Sequence, residues 1–164
     1  MSDGDAPSTM QTVRDGDGET YLLVKRSAES SRVRDPATGE ERYVDNDDLR
    51  VVDGESALAT AASGVPEPVR RTLGAVRDDR SLGLLAVVVD EGPIAAIDLL
   101  DAADMCESDL HGTITEFRAA GLVDEAEVAG RRGYEATPVA VEALGLLRGG
   151  SADEGDGVGE GDGD

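Results

Sequence analysis

Two side chains able to act as soft metal ligands or nucleophiles stand near each other in this sequence, Cys106 and His111, five positions apart at the start of a predicted helix. They are the only cysteine and the only histidine in the chain. Two ligands cannot close a zinc site, which takes four protein ligands, or three and a water. No metal and no cofactor is therefore expected. Cys106 reads as a structural residue, or as a redox-sensing thiol at a helix N-terminus. His111 reads as a partly exposed polar residue. No glycine-rich loop leads into a Lys-Ser/Thr pair, so no P-loop is present. With one His and one Cys, nucleophile–base pairs are scarce, and no catalytic residue is assigned. Carboxylates are so frequent that a pair of them carries no information.

The residue types that remain are those of a recognition surface. On a helix over Glu107–Ala120, Ile114 and Phe117 follow Leu110 at i+4 and i+7, which the helical period brings onto one apolar stripe. Ser108, Gly112, Thr115 and Ala119 occupy the opposite face. Asp109 and Glu116 flank that face on one side and His111 on the other. Gly112 costs about 1 kcal/mol relative to Ala inside a helix. Close approach to DNA, packing against a partner helix, or a glycine-rich composition would each account for it. Arg131 and Arg132 form a basic cluster in this half. They are predicted at a hairpin tip, where they reach phosphates or a minor groove, or are simply solvated. Arg118, late on the helix, reaches phosphate or pairs with nearby acids.

Other elements must position these residues. Pro66–Asp79 is predicted as a helix with Val69, Leu73 and Val76 inward, because they recur at i, i+4, i+7. Ser81 is the expected cap of a helix over Leu82–Glu91, which Gly92-Pro93 ends. Ala96–Ala103 follows, with Ile97 and Leu100 inward. After the Glu107–Ala120 helix, Gly121 suits a left-handed C′ position. Leu122–Val128 and Tyr134–Thr137 read as strands around an Ala129–Gly133 turn. Pro138 opens a last helix carrying Val141, Leu144 and Leu147.

That order resembles the winged helix-turn-helix regulators of the MarR and ArsR type. The resemblance covers about residues 82–145. It rests on Gly92-Pro93, on Arg118-Ala119-Ala120-Gly121-Leu122-Val123 closing the reading helix, and on Gly130-Arg131-Arg132-Gly133-Tyr134 as wing. The whole chain also resembles a group of halophilic archaeal proteins with the same β module ahead of the winged helix. The resemblance implies double-stranded DNA as partner and a homodimer. It implies Ser108, His111, Gly112, Thr115, Arg118, Arg131 and Arg132 as the contact residues. The reading helix departs from the type in lacking the Arg, Lys, Gln or Asn that make bidentate base contacts.

Ahead of this domain, residues 11–53 read as a small antiparallel β unit. Glu19–Arg26 is a strand, and Ser31–Arg34 and Glu41–Val44 flank a turn at Asp35–Gly39. Leu49–Val52 supplies a further short strand. Residues 54–65 are Ala/Ser-rich and read as a linker with at most a turn of helix. Residues 1–9 and the Gly/Asp/Glu tail 149–164 are expected to be disordered. The fold class expected is α+β: a winged helix-turn-helix domain over 66–148, preceded by the β unit.

The chain has 164 residues and a net charge of −21, spread as −7 over 1–65, −8 over 66–148 and −6 over 149–164. One Lys stands against 14 Arg. Such a surface suits a salt-accumulating halophile, where a Debye length of about 3 Å at molar salt screens the repulsion. It equally suits an acidic protein that avoids nucleic acid. A polar N-terminus and the absence of a long apolar run point to a cytoplasmic protein that does not enter membranes. The leading expectation is a DNA-binding transcriptional regulator, not an enzyme. The alternative is a non-enzymatic protein-interaction adaptor built on the same fold.

Overall fold

A computed structural model describes residues 10–149. The expected disorder of residues 1–9 and of the tail beyond Gly149 lies outside these residues. The fold is α+β, with two antiparallel sheets and six α-helices among the described residues. The chain divides after Pro66 into two compact units. No helix among the described residues is long and apolar enough to cross a membrane.

In the first unit, strands β1 (Gln11–Arg14), β2 (Thr20–Arg26), β3 (Ser30–Arg34), β4 (Glu41–Asp45) and β5 (Arg50–Val51) form one sheet in the order β4-β3-β2-β1-β5. A single 3₁₀ turn, Asn46–Asp48, precedes β5. The β1–β2 turn is tied by Asp15, whose Oδ1 accepts from the N–H groups of Asp17 and Glu19, each at 2.9 Å. At the β3–β4 turn Gly39 has φ +78° and donates its N–H to the Asp35 carbonyl. Pairing sets Val13 opposite Tyr21 and Leu23 opposite Val33, so these four share one face of the pleat. Val13, Tyr21 and Val33 are buried there, with Leu23, Val44 and Leu49 against them.

Thr12 and Leu22 point to the other face, and they too are buried. The segment expected as a linker, 54–65, supplies the cover: it is helical over Ala57–Ser63 (α1). Ser56 caps this helix by accepting the Ala59 N–H. Thr60, its buried residue, shares a 2.7 Å hydrogen bond with the hydroxyl of Thr12. The pattern of small residues hides such a helix, because a buried threonine looks polar until its partner is known.

In the second unit, α2 (Glu67–Ala75), α3 (Asp79–Glu91), α4 (Ala96–Ala102), α5 (Glu107–Ala119) and α6 (Pro138–Leu147) surround a three-stranded sheet. Its strands are β6 (Ile94–Ala95), β7 (Val123–Val128) and β8 (Arg131–Ala136), in the order β6-β8-β7. Leu85 and Val88 of α3, Leu99 of α4, Phe117 of α5 and Leu122 are fully buried together. Truncating Phe117 to Ala at this centre costs about 3–5 kcal/mol.

Several helix faces differ from expectation. On α2 the buried residues are Val69, Thr72 and Ala75, while Leu73 is 62% exposed. Thr72 tolerates burial because its hydroxyl donates to the Pro68 carbonyl at 2.9 Å. The helix ends at Ala75 and not near Asp79, since Asp78 already serves as cap of α3. The expected cap, Ser81, is instead the reciprocal partner in a capping box with Asp78. On α4 Leu99 is fully buried and Leu100 packs half-buried against the core, while Ile97 is 51% exposed. On α6 Ala140, Ala143 and Leu144 are buried, and Val141 and Leu147 lie half outside.

Candidate nucleic-acid interface

Helix α5 begins after Cys106, an exposed N-cap residue whose side chain makes no capping bond. Its first turn carries Glu107 and Asp109, which suit the positive end of the helix dipole. Leu110, Ile114 and Phe117 are buried and hold the helix on the core. At its end Gly121 takes φ +75°, and the Leu122 N–H returns to the Phe117 carbonyl at 2.8 Å. This left-handed glycine satisfies carbonyls that the helix end would otherwise leave open. The burial stripe thus falls on the three residues the period predicts, and the opposite face is open.

Ser108, His111, Gly112, Thr115 and Ala119 are all exposed. A Cβ on Gly112 would meet nothing within 4 Å. The Thr115 hydroxyl donates to the His111 carbonyl at 2.7 Å, so its proton is used within the helix. His111 Nε2 is 4.0 Å from the carboxylate of Glu107. Among the described residues no group of three or more His, Cys, Asp or Glu is placed to hold a metal ion.

The hairpin departs from the predicted geometry. Its loop is only Ala129-Gly130, with φ +50° at Ala129 and φ +78° at Gly130. Two successive residues with positive φ are the signature of a two-residue type I′ turn. Arg131 and Arg132 therefore do not sit in the loop; they are the first two residues of β8. Register pairs Val128 with Arg131 and Glu127 with Arg132. Arg131 lies 3.6 Å from Asp98 of α4. Arg132 reaches diagonally across the strands to Glu125. Tight packing fixes the inner end of the sheet: a Cβ on Gly133 would overlap the Ile94 carbonyl oxygen and lie 3.0 Å from Ala95 Cα.

Two further arginines, invisible as a cluster in the sequence, stand beside α5. Arg77, just before α3, and Arg80, in its first turn, line a groove of about 270 Å³ with Ser108, Asp109, Gly112 and Glu116. Arg77 bonds the Glu116 carboxylate, and Arg80 bonds the Asp104 carbonyl. Asp78, also in this groove, is held below the usual carboxylate range, chiefly by the Ser81 N–H it accepts. Two cations and three carboxylates thus share the groove. On the far flank His111 lines a separate groove of about 240 Å³ with Ile97, Leu100 and Tyr134.

The seven predicted contact residues are therefore exposed around α5 and β8, and four arginines nearby already have a carboxylate partner: Arg77, Arg118, Arg131 and Arg132. Arg77 and Arg80 were not foreseen from the sequence, because only tertiary packing sets the start of α3 beside α5. Glu125 was missed for a simpler reason. Placing the turn at Ala129–Gly133 hides the register that sets Glu125 near Arg132.

No curated protein and no solved structure matches the chain. The model of the family described as a family of unknown function (DUF7346) matches residues 10–148, and the chain belongs to that family.

Proposed function

We propose that the second unit is a winged helix-turn-helix of the MarR and ArsR type, that the protein is a DNA-binding transcriptional regulator, and that α5 is its reading helix. In this reading α3, α4 and α5 are the helical core and β7–β8 is the wing. The observation that carries it is the division of α5. Three large apolar side chains face the core, and Ser108, His111, Gly112 and Thr115 are left uncovered with Arg118 and Arg132 beside them. A small-sided helix lets a groove wall approach closely, and hydroxyl and imidazole groups can meet base edges. Phosphate contacts fall to Arg118, Arg131 and Arg132. At molar salt the counterion-release contribution is small, so shape, hydrogen bonds and water carry the affinity. A homodimer suits such a protein. Leu73 on α2 and Val141 and Leu147 on α6 are exposed apolar residues that could enter its interface.

A second reading is a protein-interaction adaptor using the same face. It is favoured by the ion pairs, since Arg118, Arg131 and Arg132 already face carboxylates that a phosphate must displace.

Gel shift and pull-down in molar potassium chloride separate the two. Under the regulator reading, Gly112→Leu abolishes specific DNA binding while the circular dichroism spectrum is unchanged, because that position faces open space. Arg131→Ala with Arg132→Ala weakens binding to every sequence alike. Loss of a co-purifying protein from the Gly112→Leu variant, with no DNA shift by any form, overturns the regulator reading.

A further inference from the structure

The two flanks of the exposed α5 face are built alike. By the helical period Arg118 stands on one side of the face formed by Ser108, Gly112 and Thr115, and Glu116 stands on the other. On the first flank Arg118 and Arg132 share the Glu125 carboxylate. On the second, Arg77 reaches in from just before α3 and bonds the Glu116 carboxylate. Arg77 and Glu116 both line the groove that also holds Ser108 and Gly112. The Arg77 side chain is 76% exposed, so the pair is worth little by itself and the guanidinium can exchange partners. Arg80 is engaged otherwise, by the Asp104 carbonyl and the charge of Asp78. The major groove of DNA is about 12 Å wide, with a phosphate backbone along each side. A helix with its side chains is about 10–12 Å across and fills that width, so cations on its two flanks meet phosphates of opposite strands.

We propose that Arg77 is a further DNA contact: it holds a phosphate of the strand on the α3 side of α5, and Glu116 competes with that phosphate for its guanidinium. This rests on the reading of α5 as the DNA-reading helix. Binding exchanges one ion pair for another. The Arg77–Glu116 pair opens, Arg77 pairs with the phosphodiester, and the Glu116 charge is left to solvent cations. Asp78 and Asp109 line the same flank, so the approach of a phosphate is helped by the screening of molar salt.

The probe is a short duplex selected from a random-sequence pool by the wild-type, full-length protein in molar potassium chloride. Binding is followed by fluorescence anisotropy over a potassium series, with melting temperatures measured alongside. Arg77→Gln is expected to weaken binding about fivefold and to flatten the log–log salt slope by about 0.9, the share of one phosphate. Arg77→Lys keeps the charge and with it the slope. Glu116→Gln is expected to strengthen binding by up to about fivefold, because it frees Arg77. In the Arg77→Gln background that gain should largely vanish. Opposite signs for the two single variants are what a contested phosphate contact requires. A pair that merely ties the start of α3 to α5 would make both variants bind worse and melt earlier, and that result overturns the proposal. So does an Arg77→Gln protein that binds the selected duplex with wild-type affinity and slope, or a Glu116→Gln gain that persists undiminished without Arg77. If the wild-type protein enriches no duplex, the DNA reading itself fails and the proposal falls with it.

Discussion

Arg132 on β8 and Glu125 on β7 are joined by a 2.5 Å ion pair across the hairpin, on a diagonal of the ladder and not between direct partners. The same carboxylate oxygen lies 3.4 Å from Arg118 at the end of α5. Glu125 thus ties the last turn of the proposed reading helix to the proposed wing and occupies two cations at once. All three side chains are well exposed, so the pairing itself adds little stability. Its larger consequence is competition with phosphate.

Glu125→Gln should therefore strengthen DNA binding. The change keeps the shape of the side chain and releases Arg118 and Arg132. Gel shifts over a potassium series should show tighter binding to all sequences. The salt dependence should steepen by up to about two phosphate equivalents in the log–log slope. Unchanged affinity in a protein that does bind DNA would mean that neither arginine touches phosphate.

In the first unit, stability should depend on the pair Thr12–Thr60. Both hydroxyls are buried, and each is the other's partner at 2.7 Å. Thr60→Val leaves Thr12 with an unsatisfied hydroxyl and costs about 1–3 kcal/mol. Adding Thr12→Val should restore most of that loss. Denaturant melts of the four proteins of this cycle check the coupling. Additive losses would show that the hydrogen bond is not what holds α1 on the sheet.

Gly133 and Gly112 should behave as opposites. Gly133→Ala forces a Cβ against the backbone of β6. It should destabilise the second unit by about 1–3 kcal/mol. Gly112→Ala meets nothing and should be neutral or stabilising, since alanine is the better helix former. Thermal melts of both variants decide the matter.

Acid stability should depend on Asp78. Its folded-state pKa lies below the ordinary value because the Ser81 N–H bonds the ionised carboxylate. A depressed folded pKa contributes stability that is fully present above the unfolded value and is lost as pH falls through the folded one. Asp78→Ala should lower the melting temperature at neutral pH and narrow the drop below about pH 4. Asp90, held low by the Arg148 guanidinium, adds a drop of the same sign. An Asp78→Ala variant whose melting temperature falls between pH 5 and pH 2 as steeply as that of the wild type would contradict the Asp78 assignment.

Salt should stabilise the whole chain. At −21 the self-repulsion is unscreened in dilute buffer. The cooperative melt in about 2 M potassium chloride should therefore lie at higher temperature than in low salt. Light scattering under the same conditions should give twice the chain mass if Leu73, Val141 and Leu147 meet a second copy.

The inward stripe of α5 was legible in the residues alone. A helix has one period, and Leu110, Ile114 and Phe117 are the only large apolar side chains on it, so one face had to be theirs. The same holds for Gly121, because a left-handed C′ residue is demanded locally. The faces of α4 and α6 were not legible, since each carries more apolar residues than one stripe holds; α2 has a single apolar stripe, yet packing buries Thr72 in place of Leu73. Only packing decided that Thr72 and Leu99 go in while Leu73 and Ile97 stay out. The same is true of α1, whose burial depends on a hydroxyl 48 residues away. The setting of Arg77 and Arg80 beside Gly112, and the convergence of Arg118 and Arg132 on Glu125, depend on how packing sets the start of α3 beside α5 and on a two-residue turn at Ala129-Gly130. Period and propensity act within one element. The placement of charges from different elements is set by how the core packs and by strand register, and no local pattern encodes it.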